Sequence, residues 1–274
     1  MAILLVVGTL MAACGCGGGG GSAPPLVLAA SSVLEETGIL EAWVEDYHVR
    51  SGRDVETVMA PDIEVMAMAE HGECDLLITH YPNWELSLES SGYVEGRQEF
   101  MHDDYVLVGP PDDPAGVAGA PSAPEAFARI ADSGQPFVQR VDGSGTAGKE
   151  EELWGAAGEI EYGDWLLLSE AGMTEALRQA EWEGAYTLSD RSTFQQHSEG
   201  LSLRILFEGG DILENPYHVM VVSGLAYPDT DLEGAQDLIE YLMSDAAREF
   251  FSLGAWEPRK TLELEEEPSG GGDD

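Results

Sequence analysis

An apolar strand, a glycine-rich loop and the start of a helix follow one another in residues 137–154, FVQRVDGSGTAGKEEELW. The apolar segment ends at Arg140, and the loop supplies the hydroxyl groups of Ser144 and Thr146, either of which can cap the helix. The first N–H groups of a helix have no partner inside it, so they point into the loop, beside a guanidinium group. This combination predicts a site for a small anion, with Asp142 placed to orient Arg140.

The same stretch has a plainer interpretation. Arg140 could pair with one of the chain's many carboxylates, and residues 144–146 could cap a helix and nothing more. A second pair of hydroxyls, Ser31 and Ser32, follows the first apolar run and precedes the first helical pattern. These side chains could donate to an oxyanion or could act only as caps, so both alternatives stay open at this point.

Apolar runs with the length of strands recur along the chain, and helical patterns separate several of them. The strand-like runs are residues 26–28, 55–59, 76–79, 105–108, 137–139, 165–168, 185–188, 203–207 and 219–223. Apolar residues at helical spacing occur in residues 37–47, 173–180 and 232–242, and after a capping pattern that begins at Ser122. Strands that alternate with helices over this length predict an α/β fold.

Two proline-containing segments indicate that the chain crosses twice between two lobes. Residues 110–114 follow one apolar run, and Asn215 and Pro216 precede another. The predicted first lobe therefore contains residues 26–106 and 218–262, and the second contains residues 107–217. Ligands of open α/β sheets bind at the carboxyl ends of the strands, so we expect the ligand between the lobes.

The charge of the chain argues against several classes of function. The sequence has 52 Asp and Glu against 12 Lys and Arg, a net charge of −40, and its only lysines are Lys149 and Lys260. Such a surface repels phosphate backbones and anionic bilayers, so we expect no nucleic-acid partner and no electrostatic membrane docking. An acidic, lysine-poor surface is typical of proteins in concentrated salt, where counterions screen the repulsion. The composition therefore predicts a halophilic habitat.

The two ends of the chain are predicted to lie outside the fold. Apolar residues 2–13 are too few to span a bilayer, and with small residues before Cys14 they resemble a bacterial signal peptide and lipobox. Cys14 would then carry the lipid, and the glycine-rich residues up to 25 would form a tether outside the cell membrane. The alternative is ordinary signal cleavage, which would release a secreted protein. Residues 263–274 predict a solvated acidic tail.

The remaining reactive side chains form no catalytic or metal-binding pattern. Cys74 leads into an apolar run without a basic neighbour, so we expect a buried, unreactive thiol. Residues 142–145 resemble the nucleophile loop of chymotrypsin-like proteases, but that fold consists of β-strands and disagrees with the alternation found here. Four histidines lack metal-ligand spacing, so we expect no metal and no cofactor; they are His80, His102, His197 and His218.

Five stretches, in this order, resemble the tungstate-binding proteins of bacterial ABC importers, which are related to the molybdate-binding proteins. They are residues 28–32 with 37–40, 75–80, 103–110 with 112–116, 140–146 with 149–150 and 153–154, and 184–191 with 215–217. The resemblance spans residues 26–254. It implies a two-lobed periplasmic-binding-protein fold of type II with a hinge of two crossing segments. Such a protein is a monomer without enzymatic activity that closes on a tetrahedral oxyanion and delivers it to a membrane permease.

The resemblance also assigns the ligand site. The family's arginine and threonine, six positions apart, fall on Arg140 and Thr146, and its N-terminal run of hydroxyls falls on Ser31 and Ser32. A fully deprotonated oxyanion only accepts hydrogen bonds, so its site should offer donors. The predicted ligand-binding residues are therefore Arg140, Thr146, Ser144, Ser31 and Ser32.

This sequence departs from the family pattern at three places. Val33 and Leu34 stand where the family has hydroxyls, Val141 replaces a glycine, and residues 61–64 replace a glycine-rich loop that precedes the second helix. In that segment Asp62 would face the cleft, where its carboxylate would repel a dianion.

Two other functions therefore stay open beside oxyanion transport. One is a diverged family member with altered or lost oxyanion specificity that acts as a sensor or a binding module. The other is a hydrolase that uses Ser144, which needs a base within hydrogen-bond reach. The sequence does not separate tungstate from molybdate, because the two ions have equal charge and nearly equal size.

Overall fold

The computed structural model describes residues 24–158 and 163–258. The predicted signal peptide, the lipidation site Cys14, nearly all of the tether and the acidic tail lie outside these residues.

Strands and helices alternate along the described chain, which confirms the α/β class. The strands are β1 (Leu26–Ser31), β2 (Val55–Ala60), β3 (Leu76–Thr79), β4 (Val94–Gly109), β5 (Phe137–Arg140), β6 (Leu166–Ser169), β7 (Tyr186–Asp190), β8 (Arg204–Glu208), β9 (Glu214–Val222) and β10 (Glu257–Pro258). The α-helices are α1 (Val33–Thr37), α2 (Ile39–Ser51), α3 (Asp62–His71), α4 (Pro82–Ser90), α5 (Ala123–Ser133), α6 (Gly145–Ala157), α7 (Met173–Glu183), α8 (Arg191–His197), α9 (Leu232–Leu242) and α10 (Asp245–Arg248). Short 3-10 helices lie at Val117–Gly119, Asp211–Leu213 and Glu249–Leu253. Within the described parts of the chain, no helix has the length and apolar character that a membrane crossing requires.

The long strand β4 joins the sheets of the two lobes. The strand order is β2-β1-β3-β9-β4-β7-β5-β6, and β8 and β10 also pair with β4. In the first lobe β1 pairs in parallel with β2 and β3, and in the second lobe β5 pairs in parallel with β6 and β7. Strand β4 pairs with β9 as far as Asp104 and with β7 from Tyr105 onward, so it belongs to both sheets.

The first crossing therefore lies inside β4, and the prediction that residues 110–114 form it is wrong. These residues follow β4 within the second lobe, where Asp113 accepts a hydrogen bond from the Tyr186 hydroxyl at 2.9 Å. Proline has no N–H for a sheet ladder, so the prolines mark the end of the strand rather than the passage between lobes. Asn215, in the predicted return segment, lies opposite Asp103. The lobe boundaries at residues 106/107 and 217/218 stay a prediction, because β4 and β9 run through them without a break.

Each lobe has an apolar core on both faces of its sheet. Successive side chains of a strand point to opposite faces, so neighbouring residues join different cores. In β1, Leu28 packs in the core that contains α2, whereas Ala29 packs in the core that contains α3. In β4, Leu107 packs with residues of α5, whereas Val108 packs with residues of α7. Strands covered on both faces carry continuous apolar runs, which is why the sequence reveals them.

Helix starts follow local sequence signals at three places. The Ser122 hydroxyl accepts a hydrogen bond from the Glu125 amide at 3.3 Å and caps α5, as predicted. Ser144, rather than Thr146, caps α6. Residues 61–64, which stand where the family has a glycine-rich loop, contain the start of α3 at Asp62. Pro61 disfavours a helical conformation in the residue before it, so the helix does not extend further toward the N-terminus. The acidic residues Asp62 and Glu64 in the first turn interact favourably with the helix dipole.

Two buried carboxyl groups lie close to the first crossing. Asp103 of β4 and Asp190 of β7 are 2% and 0% exposed. Asp103 accepts a hydrogen bond from the amide of Ser192 at 3.0 Å, and Asp190 accepts one from the amide of Thr193 at 2.8 Å. Burial, with the nearby Asp190 charge, raises the pKa of Asp103 to about 7, and burial raises the pKa of Asp190 as well.

The raised pKa of Asp103 predicts a pH-dependent stability. A carboxyl group whose pKa rises on folding stabilises the folded state at acid pH, and this contribution is lost as the pH rises through the folded-state pKa. From about pH 4 to pH 7, between the unfolded-state and folded-state pKa values of Asp103, the free energy of unfolding should fall more steeply for the wild type than for Asp103→Asn, by up to about 1.4 kcal/mol per pH unit. Chemical denaturation at a series of pH values measures this difference. Asp104→Asn is the control and should keep the wild-type slope; equal slopes for wild type and Asp103→Asn would contradict the assignment.

Candidate functional site

Segments that follow the carboxyl ends of strands from both lobes meet in the cleft. In the first lobe Ser31 ends β1, Asp62 opens the helix after β2, and His80 follows β3. In the second lobe Gly145 opens α6, the helix that follows β5. This is the edge of an α/β sheet where ligands bind, and here the two lobes approach each other.

The carboxylate of Asp62 lies at the centre of this meeting point and is fully buried. Its Oδ2 atom accepts hydrogen bonds from the Ser31 hydroxyl at 3.0 Å and from the Gly145 amide at 2.8 Å. Its Oδ1 atom accepts one from the His80 amide at 3.2 Å, and the Nε2 atom of His80 lies 3.3 Å from Oδ2. We call the donor groups of Ser31, His80 and Gly145 the cradle. The cradle combines donors from both lobes around one anionic group.

The cradle stabilises the charged forms of Asp62 and His80. Burial by itself opposes both charges, but the charge of His80, its hydrogen bonds and the Gly145 amide lower the pKa of Asp62 below its usual value. Burial likewise opposes the charge of His80, and the neighbouring Asp62 carboxylate outweighs it and raises the pKa of the imidazole. The two side chains therefore form a buried ion pair, whose hydrogen bonds offset the cost of desolvation.

Glycines in the second lobe allow the lobes to approach this closely. A Cβ atom on Gly145 would lie 2.7 Å from Nε2 of His80, and one on Gly148 would lie 2.5 Å from the Tyr81 ring. Gly143 has a φ angle of 74°, and its carbonyl accepts a hydrogen bond from the Ile63 amide at 3.1 Å. Two glycines thus stand where a larger residue would hold the lobes apart, and a third makes a backbone contact across the cleft.

Arg140, at the end of β5, is buried and pairs with Asp142, as the sequence predicts. The Nε atom of Arg140 donates to Oδ2 of Asp142 at 3.1 Å, and the Nη2 atom donates to the same oxygen. The Ser144 hydroxyl donates to Oδ1 of Asp142 at 2.7 Å and accepts from the amide of Ala147 at 3.2 Å. Asp142 therefore takes hydrogen bonds from two of the predicted ligand-binding side chains.

Several buried donors near α6 have no hydrogen-bond partner among the described residues. They include the Nη1 atom of Arg140 and the hydroxyl of Thr146, on side chains that are 1% and 0% exposed, and the Nε1 atom of Trp154. Unpaired buried polar atoms are costly, so their presence indicates a group that accepts hydrogen bonds at this position. Ser32, the other predicted hydroxyl, is half-buried at the start of α1 and makes no capping hydrogen bond with its side chain.

His80 and its neighbours are site residues that the sequence reasoning missed. The Nδ1 atom of His80 lies 2.8 Å from the side-chain oxygen of Asn215 and 3.1 Å from the Tyr105 hydroxyl. The ring stacks on Tyr217 with 4.8 Å between centroids and 5° between planes. The available signal was the position of His80, one residue after an apolar strand, where side chains reach the ligand edge. Metal-ligand spacing in the sequence does not identify a histidine whose partner is a carboxylate.

Glu150 is a second missed residue and lies beneath Arg140. Its Oε2 atom accepts a hydrogen bond from the Arg140 amide at 2.7 Å. Burial raises the pKa of Glu150 well above its usual value, which favours the uncharged form of its carboxyl group. Asp142 therefore remains the charged partner of Arg140.

The described residues give no support to the other chemistries considered. The hydrogen-bond partners of the Ser144 hydroxyl are a carboxylate and an amide, and neither is a base of the kind that a serine hydrolase uses. Within residues 24–158 and 163–258, no group of three or more His, Cys, Asp or Glu side chains could hold a metal ion. Cys74 is buried, as predicted, and burial together with the neighbouring Asp75 and Glu73 raises the pKa of its thiol to about 12.

A two-lobed α/β protein with donors from both lobes around one buried anionic group has the architecture of a solute-binding protein. The chain belongs to the PBP superfamily, because residues 19–246 match the PBP-like domain of that superfamily.

Relatives and solved structures agree with this family. A protein of Haloferax volcanii, provisionally named an ABC transporter anion-binding protein, is 37% identical over 232 residues, which cover 83% of this chain and 68% of the relative. The tungstate-binding protein TupA of Peptoclostridium acidaminophilum is 28% identical over 231 residues, which cover 81% of this chain and 79% of TupA. The structure of the tungstate ABC transporter from Geobacter sulfurreducens is 30% identical with a TM-score of 0.75, and the match covers 85% of this chain and 99% of that one. These similarities confirm the predicted family and its periplasmic-binding-protein type of fold.

The close approach at Gly145 predicts the effect of a single methyl group. In Gly145→Ala the new Cβ would collide with His80, so the lobes should separate and stability should fall by about 1–3 kcal/mol. For a chain of this size the loss corresponds to a Tm lower by roughly 2–10 °C. Thermal unfolding measures the loss, and small-angle X-ray scattering measures the radius of gyration, which should increase.

Gly155→Ala is the matched control on the same helix. Nothing lies within 4 Å of a Cβ at Gly155, so alanine should raise helix stability there by about 1 kcal/mol without moving the lobes. A Gly145→Ala protein with wild-type Tm and radius of gyration would contradict the closed arrangement.

Proposed function

We propose that this chain is the extracytoplasmic solute-binding protein of an ABC importer and captures a tetrahedral oxyanion, tungstate or molybdate, between its lobes. The observation that carries the proposal is the cradle, in which donors from both lobes surround a single buried anionic group. The names of the relatives from Haloferax volcanii and Peptoclostridium acidaminophilum support an anion, and the second supports tungstate.

The chemistry of the cleft fits a deprotonated oxyanion. Such an ion accepts hydrogen bonds and donates none, so it needs N–H and O–H groups together with positive charge. The cradle provides a hydroxyl, two amides and an imidazole, and Thr146 and Arg140 each add a buried donor without a partner among the described residues. We assign ligand binding to Arg140, Thr146, Ser31 and His80, and we assign Ser144 and Asp142 to holding the loop and the guanidinium group in place.

The further partner is a membrane permease that receives the ion. A monomer that opens and closes presents both lobes to that permease, and no catalytic step is needed. The chain is therefore a binding protein rather than an enzyme.

Arg140→Ala tests the site. Loss of a buried, charge-assisted donor costs about 2–5 kcal/mol, so tungstate affinity should fall at least about 30-fold by calorimetry in concentrated salt. Because the single variant leaves Asp142 buried without its partner, the double variant Arg140→Ala/Asp142→Ala should be measured as well, and it should bind equally weakly.

Arg191→Ala provides the matched control. It removes an arginine of the second lobe that pairs at the surface with Glu208 at 2.8 Å, and it should keep wild-type affinity. Unchanged tungstate affinity in both Arg140 variants would refute the site assignment.

A second candidate function is favoured by the position of Asp62. Its carboxylate fills the cradle, which suits a diverged family member with altered or lost oxyanion binding that serves as a sensor or a binding module. A thermal-shift panel of tungstate, molybdate, sulfate, phosphate and divalent cations in concentrated salt separates the two functions. A transport protein is stabilised by its ion, whereas a diverged module shows no shift with any oxyanion.

We also propose that Cys14 is acylated and anchors the protein to the outer face of the cell membrane. In a host that processes lipoproteins, the wild type should sediment with the membrane fraction and require detergent for release. Cys14→Ser should move the protein to the soluble extracytoplasmic fraction, because a chain without the acylated cysteine has no lipid anchor. Cys16→Ser is the control and should stay with the membrane; a wild-type protein recovered in the soluble fraction without detergent would exclude the anchor.

A further inference from the structure

The cleft of this chain already contains an anion of its own. The Asp62 carboxylate has the charge and the acceptor oxygens of an oxyanion, and it takes hydrogen bonds from Ser31, His80 and Gly145. Its side chain is fully buried, as is that of His80. An external ion that used the same donors would have to occupy the volume that the carboxylate now fills.

Three positively charged side chains around the cleft are each paired with a carboxylate. His80 faces Asp62 at 3.3 Å, Arg140 faces Asp142, and Lys149 faces Glu152 at 2.7 Å. A dianion that entered beside Asp62 would add its charge to a neutral group of side chains with little water to screen it. An ion that displaced Asp62 would instead pair with His80, which would have lost its carboxylate partner.

We propose that Asp62 is an internal ligand of the oxyanion site, which closes the empty lobes and sets the affinity by competing with the external ion. The claim that Asp62 competes with an external ion rests on the proposed function, whereas the claim that Asp62 holds the empty lobes closed does not. Asp62 belongs to the first lobe and accepts from the Gly145 amide of the second, so its carboxylate joins the lobes as a bound ion would. The Ile63 amide donates to the carbonyl of Gly143 next to it, which adds a backbone contact across the cleft.

A second carboxylate joins the lobes at a position outside the cradle. Lobe closure can therefore be tested separately from competition for the ligand. Glu36 of α1 accepts hydrogen bonds from the amides of Met173 and Thr174 at 3.0 and 2.9 Å, and from the Thr174 hydroxyl. These groups form the first turn of α7, in the second lobe. A liganded closed form can keep the Glu36 contact, because it lies outside the cradle, but it cannot keep Asp62 in place.

The test compares Asp62→Ala and Asp62→Asn with the wild type by calorimetry with tungstate and by small-angle scattering without it. Asp62→Asn keeps the volume of the side chain, so it covers the case in which the alanine variant folds poorly. Without the competing carboxylate, both variants should bind tungstate at least about tenfold more tightly. Without ligand, both should have a larger radius of gyration than the wild type, and tungstate should restore the smaller value.

Two control variants separate competition by Asp62 from a general loss of negative charge and from a loss of lobe closure alone. Glu64→Gln removes one negative charge from an exposed position on the same helix, α3, and should change neither affinity nor radius. Glu36→Gln weakens closure without emptying the cradle, so the empty protein should open while affinity stays the same or falls. A rise in affinity confined to the Asp62 variants identifies competition.

Each arm of the experiment has a result that overturns its part of the inference. Folded Asp62 variants that bind tungstate no better than the wild type exclude competition and leave the transport function intact. If neither the wild type nor the variants bind any oxyanion, the proposed function fails and the claim of competition fails with it. An unchanged radius of gyration in the empty Asp62 variants refutes the closure, whatever the binding result.

Discussion

The hydrogen bonds accepted by the Asp62 carboxylate are the interaction on which the closed arrangement of the two lobes depends. A buried carboxylate is tolerated only when donors and a positive charge replace the water that it loses, and Ser31, Gly145 and His80 supply them. These donors come from the ends of separate elements and from both lobes, so the carboxylate is satisfied only when the cleft is closed. Closure, burial and ionisation of this one group are therefore coupled.

The low number of cations in the chain makes their placement informative. With 12 Lys and Arg against 52 Asp and Glu, most basic side chains can find a carboxylate at the surface. Arg140 is nevertheless 1% exposed and ends a strand at the ligand edge, where its burial must be compensated by hydrogen bonds. Asp142 compensates part of it, and the unpaired Nη1 atom leaves the compensation incomplete. A small anion can therefore be attracted locally by a protein that repels large polyanions.

The sequence predicts the elements of this fold better than their connections. Apolar runs covered on both faces identify the core of each lobe, but the first half of β4 escapes notice because residues 95–99 are mostly polar. Prolines are typical of connections and predict a crossing at residues 110–114, whereas the chain crosses inside β4, which pairs with β9 as far as Asp104 and with β7 from Tyr105 onward.

In the candidate site, local contacts could be predicted from the sequence, but contacts between the lobes could not. The Arg140–Asp142 contact is local and could be predicted, since the two residues are two positions apart. The sequence also indicates that Asp62 faces the cleft. Its partners could not be predicted, because Gly145 lies 83 positions away and comes into reach only when the lobes meet. Nor does a hydroxyl in a motif reveal where its hydrogen points: the sequence predicts that Ser144 binds the ligand, and in the structure its hydroxyl donates to Asp142.

The buried thiol of Cys74 has a practical consequence for watching these lobes move. Beyond residue 16 it is the only cysteine in the sequence, and its raised pKa keeps it in the unreactive thiol form at neutral pH. A chain that begins at residue 24 can therefore accept a pair of introduced surface cysteines, one on each lobe, without replacement of the native residue. Fluorophores attached to that pair would report the distance between the lobes in single molecules, and hence the exchange between open and closed forms in real time.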